Sequence, residues 1–273
     1  MVEPGHSEKQ IKVIPMAKIH ETAVIHPEAE IGRNVKIGPY TTIESKVKIG
    51  ENTVIGPHVV IKENTTIGKN NKIYHGAAIG TPAHKIEKES ETKKVLIGDN
   101  NTIRENVTIN RGQATGNGVT RIGNDNFIMA YCYIGSNCQV GNNIIITNAT
   151  HLGEKVLVED KAVIAGLSEI KAGVRIGKIA MIGAHSQVVK DVPPYILADG
   201  HPARIKNINV IGLRRNGFKP ELRKEIKKLF KILYCSELER KDAVKKMEKE
   251  IRTGAEINHF LDFLKTVKNG ISR

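Results

Sequence analysis

The 273-residue chain has no tryptophan, 4% aromatic residues and no run of 18 apolar residues. Scarce aromatics argue against a wide, ring-filled core, and the third absence excludes a conventional transmembrane helix. Three cysteines, Cys132, Cys138 and Cys235, are too few for a disulfide framework and read as inert filler. The ten histidines show no spacing with Cys, Asp or Glu that would make a zinc site, so no metal is expected. No glycine cluster has the P-loop or dinucleotide-binding form, and no serine sits in a nucleophile elbow. The opening MVEPGHSEKQ lacks an apolar signal core, which reads as a cytoplasmic protein.

What the chain does have is a period. From Ile19 to Val188 an aliphatic residue recurs at every sixth position, broken twice by polar stretches. Neither a 3.6-residue helix nor an alternating strand gives that spacing without drift; it is the signature of a parallel β-helix. Glycine often follows the aliphatic residue, as at Gly32, Gly38, Gly50 and Gly56, and is expected to supply a positive φ at a tight corner. Two residues before each aliphatic position stands a small or β-branched residue, such as Val35, Thr41, Val47 or Thr53. Three hexads would close one coil of a narrow triangular prism. Residues 18 apart then stack at the inter-strand spacing of roughly 4.8 Å. Ser136, Glu154 and Ala172 should thus lie along one edge.

The interruptions predict loops at 80–96 and 110–121, the first charged and the second glycine-rich, with a one-residue phase slip between Ile109 and Ile122. Loops on a rigid scaffold are where binding concentrates. After DVPPY (191–195) the repeat stops. From about Lys219 the spacing turns helical: Pro220 suits a first helical position, and Leu222, Ile226, Leu229, Phe230 and Leu233 share one face. The expected domains are a mostly β hexapeptide-repeat domain over 1–199 and a small α-helical domain over 200–273.

The order of hexads, IRENVTINRG (103–112), NAT (148–150), DVPPY, NVIGLRRNGF (209–218) and a helical tail closely resembles the acyl-ACP–UDP-N-acetylglucosamine O-acyltransferase family of lipid A biosynthesis. The hexapeptide motif alone is shared by many acyl- and acetyltransferases; the blocks at 103–112 and 209–218 select this family. The resemblance implies a left-handed β-helix and a homotrimer with active sites in grooves between prisms. It also implies transfer of a 3-hydroxyacyl chain from acyl carrier protein to a UDP-sugar, with the carrier thioester as co-substrate and no cofactor.

Acylating a sugar hydroxyl needs a positioned general base, for which histidine is the usual choice, and a backbone amide facing the developing oxyanion. The resemblance puts Ser136 at the position of the family's base and Tyr133 at that of an accompanying histidine. Glu154, 18 residues after Ser136, is the candidate replacement base, with His151 and His84 behind it. Substrate-binding positions carried over from the family fall on Lys85, Glu87, Lys171, Asn209 and Arg215, with Asn216 replacing a second arginine; residues around Ala184 are expected to limit acyl length.

A net charge of +13 calls for an acidic partner or a lysine-rich solvated surface. Basic residues are spread over both domains without a nucleic-acid motif, which disfavours DNA or RNA. Acyl carrier protein fits better, with Arg204, Arg214, Arg215 and the lysines of 223–231 as its dock. Two functions remain open: an acyl-carrier-dependent transferase acting on a UDP-amino-sugar, or an inactive homologue that binds UDP-sugar or carrier protein, or pairs with an active paralogue.

Overall fold

The structure, a computed structural model, describes residues 17–82, 93–114 and 116–273. Its larger part is a left-handed parallel β-helix. Strands of two to four residues recur in threes and form three sheets. The first face starts at Lys18–Ile19, the second at Val24–Ile25 and the third at Glu30–Ile31, and every third strand joins the same sheet. Pairing is parallel and isoleucine stacks on isoleucine: Ile31 on Ile49, Ile37 on Ile55, Ile43 on Ile61. These side chains are almost wholly buried, so each contributes roughly 1.5–3 kcal/mol of burial.

The small-residue column also points inward, with Val35, Thr41, Val47 and Thr53 fully buried. Cys132 and Cys138 belong to this column; burial pushes their thiols up to about 11 and about 12. Three asparagines take the same position and form an internal ladder. Asn71 Oδ1 accepts from Asn101 Nδ2 at 3.0 Å, and Asn101 Oδ1 accepts from the Asn126 backbone N–H at 3.0 Å. Their amides donate to the carbonyls of Gly98, Gly123 and Gly141, so the polar groups of this ladder are paired rather than stranded.

The role expected for the corner glycines is corrected. Positive φ falls two residues later in the hexad, on non-glycine residues such as Asn34 (57°), Asn52 (58°) and Asn64 (58°). Asparagine tolerates this region because its short amide bonds locally. The glycine serves close approach instead: a Cβ on Gly50 would lie 2.5 Å from the carbonyl carbon and oxygen of Gly68 in the next coil.

Both expected loops are narrower than their sequence spans. Ala78–Thr81 and Lys94–Ile97 are strands flanking the first, and Thr108–Asn110 and Val119–Ile122 flank the second. Ile109 pairs directly with Ile134, so the phase slip is expelled into the second loop. The solenoid ends differently from the expected break at 199/200. That point lies inside an antiparallel hairpin, Ile196–Gly200 with Ala203–Ile208, which extends the first face.

Helices α1 (Val210–Arg215), α2 (Pro220–Tyr234), α3 (Arg240–Glu250) and α4 (Ala255–Lys265) follow. The first begins earlier than the helical spacing suggested. On α2 the apolar stripe is buried at Ile226, Leu229 and Leu233, with Pro220 opening the helix. The tail packs back on the prism, where Ser272 N donates to Asp191 O at 2.9 Å and Arg175 covers the Phe263 ring at 4.2 Å. Among the described residues no helix is long and apolar enough to cross a membrane.

Candidate active site

Each coil turns from the second face to the third at one corner, and Ser136, Glu154 and Ala172 occupy the same position of that corner in successive coils. Lys155 N donates to Ser136 O, and Gly173 N to Glu154 O, each at 2.8 Å. Ser136 is fully buried and its Oγ has no hydrogen-bond partner among the described residues. The second loop packs on the adjacent residue: Gln113 N donates to Asn137 Oδ1 at 3.1 Å, and a Cβ on Gly116 would come within 2.6 Å of Asn137 Nδ2. Glu154, one coil on, is half-buried.

Beside this corner, on the outer side of the second face, a polar column crosses four coils. Register puts Tyr133 over His151, His151 over Glu169 and Glu169 over Gln187. The Tyr133 and His151 rings stack with centroids 4.5 Å apart and planes 16° from parallel. Asn110 Nδ2 donates to the Tyr133 hydroxyl at 2.5 Å. Burial, and then the nearby Glu154 charge, raise the Tyr133 phenol despite that bond. Below, Lys171 donates to Glu169 Oε1 and Gln187 Nε2 to Glu169 Oε2. Lys171, then Gln187, and at longer range His151, hold the Glu169 carboxyl below its usual range.

A second concave feature lies on the first face, where the hairpin and α1 meet the last coils. This groove, about 800 Å³, has an apolar floor of Ile145, Val163 and Met181 and a polar rim that includes Lys161, Asn209 and Arg215. Asn209 caps α1: its Oδ1 accepts from Gly212 N at 2.9 Å, while its Nδ2 donates to Ile179 O at 2.8 Å. Arg215 is exposed at the end of that helix. The Ser136 corner joins the other two faces, so it stands across the prism from this groove.

The family model for UDP N-acetylglucosamine O-acyltransferase domain 2 matches residues 191–272, and the bacterial transferase hexapeptide model matches 28–63, 46–81 and 120–154. The acyl-[acyl-carrier-protein]–UDP-N-acetylglucosamine O-acyltransferase of Burkholderia mallei is 45% identical over 262 residues, 94% of this chain and 100% of the relative. The chain belongs to the UDP-N-acetylglucosamine O-acyltransferase family. Among solved members, the Bacteroides fragilis acyltransferase superposes with a TM-score of 0.90 at 38% identity, covering 93% of this chain and 99% of that one. The Francisella novicida enzyme gives 0.89 at 39%, covering 93% and 94%.

Within this acyltransferase scaffold, the residues singled out from sequence fall into separate places. Ser136 and Glu154 share the corner. Lys171, read as a possible substrate contact, is engaged by Glu169 instead of standing clear. Asn209 and Arg215 share the groove on the first face. Lys85, Glu87 and His84 lie outside the described residues. The Tyr133–His151–Glu169 column was missed as a unit, although an 18-residue step applied to the position before each aliphatic residue finds it. The contact of His259 Nε2 with Glu159 Oε2 at 2.7 Å left no sequence signal, because it joins residues 100 apart.

Proposed function

We propose that this chain transfers a (3-hydroxy)acyl group from acyl carrier protein to a UDP-amino-sugar, acting as a homotrimer in the cytoplasm. The observation that carries this reading is the groove on the first face. Its apolar floor suits part of an acyl chain, and Arg215 and Lys161 on its rim suit the phosphates of a sugar nucleotide. The 45% identity to an acyltransferase named for this reaction, over 94% of the chain, supports the same substrates. In one chain the groove and the Ser136–Glu154 corner are on opposite sides, so a site using both draws on two copies. That arrangement supports a trimer with sites between prisms. Arg204, Arg214 and the lysines of α2 are the proposed dock for the acidic carrier protein, whose encounter they would steer.

The deciding experiment incubates purified protein with hydroxyacyl carrier protein and either UDP-N-acetylglucosamine or its 3-amino analogue, with the product read by mass spectrometry. Acylated sugar nucleotide above background is the expected result; none with either acceptor sinks the transferase reading. A second reading, binding without turnover, is favoured by the buried Ser136 Oγ, which has no partner among the described residues and offers no base at the family position. Saturable binding of the sugar nucleotide with no product would select it.

A further inference from the structure

We propose that His151 is the general base of the acyl transfer, moved from the corner to the neighbouring strand, and that the charge of Glu169 supports it. This rests on the transferase reading above. A base must reach the acceptor, and Ser136 is fully buried. His151 is exposed on the second face, three residues before the corner position of Glu154, hence within about 10 Å of it along the chain.

Two neighbours in the outer column frame the imidazole. The Tyr133 ring lies flat against the imidazole on one side, and a π face attracts a cation. On the other side the register partner is Glu169, a carboxylate bonded by Lys171 and Gln187 that acts on His151 through its charge rather than through a hydrogen bond of its own. The ionisable groups on the elements flanking His151 are Tyr133 on one coil, Glu169 and Lys171 on the next, and Glu154 and Lys155 on its own. Tyr133 is itself held by Asn110, so the stacking partner is anchored.

In the reaction, His151 removes the proton from the acceptor hydroxyl or amine as that atom bonds to the thioester carbonyl carbon. The tetrahedral adduct collapses, the carbon–sulfur bond breaks, and the imidazolium returns the proton to the departing thiolate. Atoms and charge balance with the two substrates alone. An imidazole suits both transfers because its ordinary pKa lies near neutrality.

The test compares wild type with His151→Asn and Glu169→Gln, using hydroxyacyl carrier protein and the preferred acceptor. His151→Asn is expected to lose about 10²- to 10⁴-fold in kcat with little change in KM and an unchanged melting curve. Glu169→Gln should move the acid limb of the kcat/KM profile to lower pH, because loss of the carboxylate makes the imidazolium easier to deprotonate; a purely structural role would leave that limb in place. An active wild type with His151→Asn close to its rate overturns the assignment while leaving the transferase reading standing. An unmoved acid limb in Glu169→Gln removes Glu169 from it. A wild type inactive with every acceptor overturns both.

Discussion

His259 Nε2 on α4 lies 2.7 Å from Glu159 Oε2 on the prism, and Arg175 holds the other oxygen of the same carboxylate at 3.2 Å. Burial opposes the Glu159 charge, but His259, the Lys178 backbone N–H and Arg175 together outweigh it and hold the carboxyl below its usual value. A depressed folded-state pKa gives stability that is present above the unfolded value and lost as pH falls through the folded one. Glu159→Gln should therefore cost about 1.5–3 kcal/mol near neutrality, with the gap to wild type closing as pH drops below the ordinary carboxylate range. Denaturant melts followed by helix circular dichroism at pH 3 to 7 read this out; a gap that is constant with pH contradicts it.

The two turn residues of a hexad should respond oppositely to small changes. Gly50 does not need a positive φ, yet a Cβ there meets the Gly68 carbonyl group at 2.5 Å, so Gly50→Ala should destabilise by about 1–3 kcal/mol. Asn64 carries the left-handed conformation at 58°, and Asn64→Gly should stay within about 1 kcal/mol of wild type. Thermal melting of both variants checks the pair. Equal losses would mean that backbone conformation, not coil-to-coil contact, governs the corner.

The six-residue period made the prism legible because each isoleucine reports its own burial, and residues 18 apart do stack, as Tyr133 and His151 show. The same period misled about Gly50, since a string of letters does not separate a residue that bends the chain from one that must leave room. The helical stripe of α2 was readable, but the Ile196–Gly200 strand was not: its neighbours are set by the tertiary hairpin rather than by the hexad. Of the candidate site, Ser136 and Glu154 could be aligned by counting. The loop packed on the neighbouring Asn137 could not, because Gln113 reaches Asn137 across 24 residues outside the repeat.

Arg215 brings to the groove on the first face a guanidinium with no ion-pair partner among the described residues, beside Asn209 whose own amide is occupied by capping. If a diphosphate binds there, Arg215→Ala should weaken UDP binding about 10- to 100-fold, the equivalent of a charge-assisted hydrogen bond worth roughly 1.5–3 kcal/mol. Arg215→Lys should fall between, keeping the charge but losing the planar fork. Calorimetric titration with UDP measures this, and an unaltered Kd would exclude Arg215 from the site.

Ser136 occupies the place at which the family resemblance puts the base, so replacing it tests whether position or chemistry decides. Its Oγ is fully buried without a hydrogen-bond partner among the described residues, and an unpaired buried hydroxyl is a cost to the folded state rather than a gain. Ser136→Ala removes that hydroxyl and little else, leaving the Lys155 N to Ser136 O bond intact because it uses the main chain. Stability should thus be unchanged or rise by up to about 1 kcal/mol. Turnover should stay within a few-fold of wild type, since a fully buried hydroxyl does not meet the acceptor. A loss of 10²-fold or more in kcat with an unchanged melting curve would mean that Ser136 takes part, and the base would have to be sought at the corner after all.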